Sequence, residues 1–319
     1  MITGQGLYPV YGGNGLRGFT ESYNHDGDYI LIGRQGALCG NIRKVTGKTY
    51  VTEHAIAVCA SKENETTFLQ YLFQKMKLGQ YSDQSAQPGL AVNKLLRLNI
   101  NVPSKIEQAK IAKILSLIDE RIATQNKIIE DLKKLKSAIY QELFSNQQGE
   151  EYSLSELVEI IKGQQINGNE LSENGKYYVM NGGIMPSGYY DDYNTEAGTI
   201  SISEGGNSCG YVQYNSSKFW SGGHCYTLHI KPAAPISTLF LFHFLKWKET
   251  DIMTLRIGSG LPNIQKKDLS KVSIIVPTLD KQQRIMTLLS TFQMKIEHED
   301  MYAINLNKQK QYLLSQMFI

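Results

Sequence analysis

With 319 residues, 41% of them hydrophobic and 20% charged, the chain is long enough for two domains with cores of their own. Its longest apolar run, ISTLFLFHFLKW at 236–247, is too short to span a bilayer and carries His243, and no basic stretch followed by an apolar core opens the chain. A cytoplasmic protein without membrane attachment is expected; a net charge of +3 is only mildly basic, and four cysteines without CxxC spacing read as buried thiols rather than a zinc site.

The chain repeats itself. VYGGNGLRGF at 10–19 returns as MNGGIMPSGY at 180–189. Tyr23-Asn24 returns as Tyr193-Asn194, Cys39-Gly40 as Cys209-Gly210, His54 as His224, Gly89-Leu90 as Gly260-Leu261, and Pro103 as Pro277. The spacing drifts slightly along the way, as loop insertions allow. Each half opens in a region rich in glycine and tyrosine. Its β-prone runs (29–32 and 50–57, then 199–203 and 224–230) are separated by glycines at turn positions. A helix is expected at 67–76 and at 237–247. LNINVP (98–103) and VSIIVP (272–277) then read as a strand closed by proline, and that proline opens a long helix where its missing N–H costs nothing.

The halves differ at their starts. The second begins EYSLSELVEIIKGQQINGNEL (151–171), a capped strand or helix followed by a turn. The first half shows no counterpart, so its first domain reads as shortened at the N-terminus.

The two long helices are the strongest signal. In the first, Ile111, Leu115, Ile118, Ile122, Ile129, Leu132, Ile139 and Leu143 alternate at spacings of four and three, a coiled-coil seam. The second repeats it with Ile285, Leu289, Phe292, Ile296, Ala303, Leu306, Leu313 and Met317. Gln125 and Lys136 interrupt the first seam, and Glu299 and Lys310 interrupt the second at the same repeat positions. Antiparallel pairing with Gln125 opposite Lys310 and Lys136 opposite Glu299 keeps every polar layer matched, whereas a slip of one heptad sets each polar residue against an apolar one. The expected fold is therefore α+β: two repeated α/β domains (1–104 and 148–277), separated by two long antiparallel coiled-coil helices (105–147 and 278–319). A seam from Ile111 to Leu143 is roughly 50 Å long at about 1.5 Å per residue. Two lobes held at fixed spacing suit a partner with two sites, and duplex DNA is the obvious one.

At this point the pattern resembles the specificity (S) subunit of type I restriction-modification systems. The resemblance rests on the twin helix openings VPSKIEQAKIAKILSLIDERI (102–122) and VPTLDKQQRIMTLLSTF (276–292). It is supported by YPVYGGNG (8–15), GLAVNKL (89–95), NGGIMPSGYY (181–190) and SGLPNIQKKDL (259–269). It implies a non-catalytic subunit. Each target-recognition domain would read one half of a bipartite sequence in double-stranded DNA, with the helices as a ruler between them. The helices would recruit methyltransferase (M) subunits, and restriction/motor (R) subunits would join that core. No cofactor and no metal are expected. The alternative is a shortened specificity-subunit variant that serves as a protein-interaction module, pairing with another S subunit without reading DNA itself.

Candidate DNA-binding residues follow from chemistry. Arg17, Arg34, Arg43 and Lys44 in the first half, and Lys176, Lys218, Lys266 and Lys267 in the second, can neutralise phosphates. Arg34-Gln35, Asn14, Asn207 and Asn263 carry the forked groups that read base edges. Tyr189, in a Tyr-Tyr pair, can stack on a base and is an equally good strand residue. For each cation the plain reading is a solvated surface charge. His54 and His224 recur, but with Glu-His-Ala in one half and Gly-His-Cys in the other the surrounding ligands are not preserved, so structural histidines are expected. The GGNG and EGGN glycines read as tight turns, and no catalytic constellation is compact or repeated.

Overall fold

Glycine turns cut each half into short strands, and a helix then covers them. The computed structural model describes residues 2–83, 89–258 and 260–318; Ser259, which opens the SGLPNIQKKDL motif, lies outside them. The first half runs β1 (Tyr8–Gly12), β2 (Gly15–Thr20), β3 (Tyr29–Gly33), β4 (Ile42–Val45), β5 (Tyr50–Val51), β6 (Ala55–Val58), α1 (Thr66–Met76), α2 (Val92–Leu95) and α3 (Lys105–Ser145). The second half runs β7 (Glu150–Ser153), α4 (Leu154–Leu157), β8 (Val158–Lys162), β9 (Tyr177–Met180), β10 (Gly188–Tyr190), β11 (Thr199–Ser203), β12 (Val212–Asn215), β13 (Trp220–Ser221) and β14 (Cys225–Ile230). It ends with α5 (Thr238–Trp247), α6 (Glu249–Thr254), α7 (Lys266–Leu269), β15 (Ser273–Val276) and α8 (Leu279–Met317). The expected 50–57 run is two strands, β5 and β6, because the chain turns at Thr52, whose carbonyl accepts from the amide of Ala55.

The chain divides into two units, residues 1–128 with 299–319, and residues 129–298. In the first, β1 pairs antiparallel with β2 and parallel with β5, and a second sheet has the order β4-β3-β6. Helix α1 lays Phe68, Leu69 and Leu72 against Ile30 and against Ala112 of α3. In the second unit, β10-β9-β13 repeats the first small sheet, and β12-β11-β14-β8 repeats the other with one more strand. Helix α5, capped by Ser237, buries Phe240, Leu241, Phe244 and Leu245 in a large core with Phe144, Leu154 and Leu157. Gly40 and its repeat partner Gly210 have φ of +80° and +92°, and a Cβ on either would collide with the backbone of Gly79 or Met253.

Each long helix is anchored by one buried glutamine near its start. Gln108 accepts from the amide of Glu65 at 2.9 Å and donates to the Pro103 carbonyl (3.0 Å) and to Asn64 Oδ1 (3.1 Å). Its repeat partner Gln282 accepts from the amide of Ser237 at 2.9 Å and donates to the carbonyls of Pro235 (2.8 Å) and Pro277 (2.9 Å). Proline does not open α3 itself, as the sequence suggested. Ser104 caps it, its hydroxyl and amide both donating to Glu107, so Pro103 lies one residue ahead of the cap.

All the expected seam positions are buried or half-buried, but the register differs. In the first unit Gln125 Nε2 donates to Oε2 (2.5 Å) and the carbonyl (3.1 Å) of Glu299, and Lys310 Nζ meets Asp119 at 2.6 Å. In the second, Lys136 Nζ donates to Gln293 Oε1 at 2.6 Å. The expected Gln125–Lys310 layer therefore does not form. The helices are displaced by about one heptad from that register. The slip leaves no charge stranded, because the long side chains lean out of their layers to partners on the seam flanks. It also lets Leu314 pack with Tyr71 and Leu115, and Phe318 with Phe68, at a ring-centroid distance of 5.2 Å.

A second correction concerns 98–103. VSIIVP contains β15, which pairs with β7, but LNINVP forms no strand. A strand needs a partner for its ladder, and no described residue of the first unit lies in the place that β7 takes beside β15.

Replacing Gln282 with Ala strips partners from one buried amide and two buried carbonyls, so urea unfolding should show a loss of about 3 kcal/mol. Gln283→Ala, on the exposed side of the same turn, should change stability by less than about 0.5 kcal/mol. In double-mutant cycles read by thermal unfolding, Lys310 and Asp119 should couple by about 1 kcal/mol, and Lys310 and Gln125 by no more than about 0.3 kcal/mol.

Candidate nucleic-acid interface

Strand β3 ends at Gly33, and the next residues are held by backbone rather than by side chains. The Arg34 amide donates to the His54 carbonyl at 2.9 Å, and the Arg34 carbonyl accepts from the Leu90 amide at 2.8 Å. This brings three segments to one rim: the 34–41 loop, the turn between β5 and β6, and the chain at 89–90. The GGNG turn between β1 and β2 completes it. A Cβ on Gly13 would lie 2.7 Å from the His54 carbonyl oxygen, and one on Gly15 would lie 3.1 Å from the Arg43 guanidinium. The Arg17 side chain crosses Gly12, where a Cβ would lie 2.8 Å from its Cδ and 3.2 Å from the Thr52 hydroxyl.

The structure thus gathers Asn14, Arg17, Arg34, Gln35 and Arg43 around one turn, all exposed. Gln35 Oε1 lies 2.9 Å from His54 Nδ1, which orients both side chains. Among the described residues none of the three arginines is in a salt bridge. Lys44 is not part of the cluster. It turns to the other side of β4, donates to Thr67 Oγ1 at 3.0 Å and faces Asp28 at 3.6 Å.

The second unit builds the same rim with different chemistry. The Glu204 amide donates to the His224 carbonyl at 2.9 Å, and its carbonyl accepts from Ile264 at 2.8 Å. By the repeat, Glu204 stands where the first unit has Arg34, Gly205 where it has Gln35, and Gln213 where it has Arg43. The Glu204 carboxylate is buried. Its Oε1 accepts from Lys162 (2.7 Å) and from Tyr226 Oη (3.1 Å). Its Oε2 has no hydrogen-bond partner and lies 3.8 Å from His224 Nδ1. Burial, and then the Glu204 charge, push the Tyr226 hydroxyl up to about 12, so it remains a donor at neutral pH. Burial likewise pushes the Cys225 thiol up to about 11, which keeps it protonated and unreactive.

Asn207 and Asn263 meet at this rim. Gly205 bridges to Asn263, and the Gly206 amide donates to the Pro262 carbonyl at 3.0 Å. Lys266 and Lys267 are exposed on α7, directly beyond buried Ile264. The other candidates lie elsewhere. Tyr189 pairs with Tyr178 on the β9–β10 hairpin away from its turn, and Lys176 lies over the Tyr177 ring. Lys218 is satisfied internally by Tyr193 Oη at 2.7 Å and Glu196 at 3.2 Å.

The sequence reading did not single out Glu204, Tyr226 or Lys162. The charge reversal between Arg34 and Glu204 at one repeat position was the available signal for the first of these. Nothing in the sequence marked Tyr226, which reaches Glu204 only across the sheet.

The chain matches a family described as "Type I restriction modification DNA specificity domain" over residues 2–134 and 146–306. It is 43% identical over 132 residues to the type I restriction enzyme EcoprrI specificity subunit of Escherichia coli, a stretch covering 41% of this chain and 32% of that subunit. The matched stretches span 32% to 43% of the first three curated relatives. The fold is that of the type I restriction-modification S subunit from M. genitalium, with a TM-score of 0.70 at 22% identity, covering 100% of this chain and 90% of that one. A chain from a structure titled for complex assembly and conformational transition of the type I R-M system gives a TM-score of 0.65 at 18% identity, over 93% and 82% of the two chains.

Proposed function

The chain belongs to the type I restriction-modification DNA specificity family, and from that premise we propose that it is the sequence-reading, non-catalytic subunit of a cytoplasmic DNA-modifying complex. Each unit reads one half of a bipartite duplex target. Methyl transfer and cleavage belong to methyltransferase and restriction/motor subunits that assemble on it.

One observation carries this reading: the two rims share a backbone and differ in chemistry. The first presents forked donors, Arg17, Arg34 and Arg43 with Gln35, which suit guanine O6 and N7 and the phosphates beside them. The second presents Asn207 and Asn263, whose carboxamides suit adenine N6 and N7, and where the first has Arg34 it has a buried carboxylate, Glu204, that offers no cation. Two chemically different readers on a repeated scaffold imply two different half-sites, hence an asymmetric target. The long helices support the assembly role. Ile114, Leu117, Ile128 and Leu135 on α3 and Met294 and Met301 on α8 are exposed, more apolar surface than a solvated helix needs.

The test is to co-express the chain with its methyltransferase subunit and map methylated adenines. An asymmetric bipartite motif is expected; a complex that forms and methylates nothing would favour the interaction-only reading. In binding assays with the complex, Arg17→Ala and Arg43→Ala should each weaken DNA affinity and lower the salt slope by about 1. Lys218→Ala should leave that slope unchanged.

A further inference from the structure

At the crest of the second rim the arginines of the first are gone, and large apolar side chains stand in the open. By the repeat, Glu204 takes the place of Arg34, Gln213 that of Arg43 and Ser187 that of Arg17, while Ile184 and Met185 stand where the first unit has Asn14 and Gly15. Ile184 is 53% exposed and Met185 74%. Leu261 shares this rim and, at 86%, is the most exposed large apolar side chain among the described residues.

Main-chain bonds hold Leu261 in that position. Ile257 and Asn263 exchange both backbone bonds, at 2.8 and 3.0 Å, which closes a narrow loop, and the Pro262 carbonyl accepts from the Gly206 amide at 3.0 Å. The β9–β10 turn abuts the same place. A Cβ on Gly182 would lie 3.1 Å from the Gly205 carbonyl oxygen, and one on Gly205 would lie 3.7 Å from that of Pro262. Three segments thus converge, with Ile184, Met185 and Leu261 at their crest, and none of these side chains joins the cores beneath. Folding gains nothing from apolar side chains fixed in water on one rim, so their exposure points to a ligand with an apolar surface.

The surroundings narrow its kind. Arg256, Lys266 and Lys267 are exposed beside the loop, and among the described residues none of them is in a salt bridge. Cations so placed suit phosphates. Asn207 and Asn263 add exposed carboxamides, the latter two residues from Leu261. A lipid or an apolar peptide would leave those carboxamides idle, whereas duplex DNA engages cations, carboxamides and crest together. In its major groove the apolar group on a base edge is the 5-methyl of thymine.

We propose that Leu261 is a specificity-determining residue that contacts the thymine methyl of an A·T pair in the half-site of the second unit. Ile184 and Met185 flank that contact and keep water from it, and Asn263 reads the adenine edge. The inference rests on the DNA-reading function proposed above and adds which base pair this rim selects and by what contact. A G·C pair is rejected because cytosine has no methyl group there and would set its amine against an apolar side chain, unpaired. The first rim reads with forked cations; the second reads by apolar fit.

The experiment uses the complex of the full chain with its methyltransferase subunit and a duplex carrying the motif found by methylation mapping. Each thymine is replaced in turn by deoxyuridine, which removes one methyl group and no hydrogen-bonding atom. At one position at least, affinity should fall about fourfold, the loss expected for one buried methyl. With Leu261→Ala the thymine duplex should bind about fourfold weaker, and the deoxyuridine penalty at that position should shrink to less than about twofold. The side chain is exposed, so this variant should unfold at the wild-type temperature. A complex that binds its motif and is indifferent to every deoxyuridine, or a penalty undiminished by Leu261→Ala, would overturn the inference and leave the DNA-reading function standing. A complex that forms and binds no duplex would overturn both.

Discussion

Two glutamine side chains fix where each long helix starts relative to the sheets it serves. Gln108 and Gln282 each accept one backbone amide ahead of a short helix and donate to the carbonyl of the proline before the long one. Only a carboxamide meets that demand. Glutamate would bring a charge and no donor into a site that is at most 1% exposed, and an apolar residue would orphan the backbone groups. Because those contacts are to the backbone, the clamp sets the helix origin and leaves neighbouring side chains free to vary. The seam, the sheet packing and the rim loops all take their positions from that junction.

The seam shows why matching polar layers is a poor guide to register. Setting each polar position directly opposite another treats side chains as points. Lys310 and Lys136 instead reach Asp119 and Gln293, and these pairs are repeat equivalents of each other. Gln125 and Glu299 are likewise equivalent positions that meet. Once flexible side chains can lean to the seam flank, the penalty for an unpaired buried charge vanishes, and apolar contacts at the helix ends decide the register. Phe318 against Phe68 and Leu314 against Leu115 are those contacts.

What the sequence disclosed follows the same division between local and distant causes. The helices and their buried positions were legible because a four-then-three spacing is written in the chain. So was the repeat, which needs only comparison. The failure at 98–103 was distant in origin: LNINVP and VSIIVP read alike, and only the presence or absence of β7 alongside separates a strand from an irregular segment. The rim was half legible. Arg17, Arg34 and Arg43 stood out by type, and their convergence depended on the GGNG turn folding over the β5–β6 turn. Lys44 and Lys218 looked equivalent to them and are occupied within the fold, since no residue type discloses its own partner.

The rims also explain how one scaffold can carry two chemistries. Arg34 and Glu204 are opposite in charge, yet the backbone of each makes the same two bonds, to a histidine carbonyl and from the amide of Leu90 or Ile264. The next turn repeats as well: the Gly40 amide donates to Gly33 and the Gly210 amide to Ser203, at 2.7 Å and 2.8 Å. A loop held by main-chain bonds spends no side chain on its own geometry. The side chains at its crest are therefore released from folding and can change without disturbing the sheet beneath. Glu204 marks the limit of that freedom. Its burial demanded Lys162 on β8 and Tyr226 on β14, and β8 has no counterpart among the described residues of the first unit. An exposed arginine at that position needs no such support.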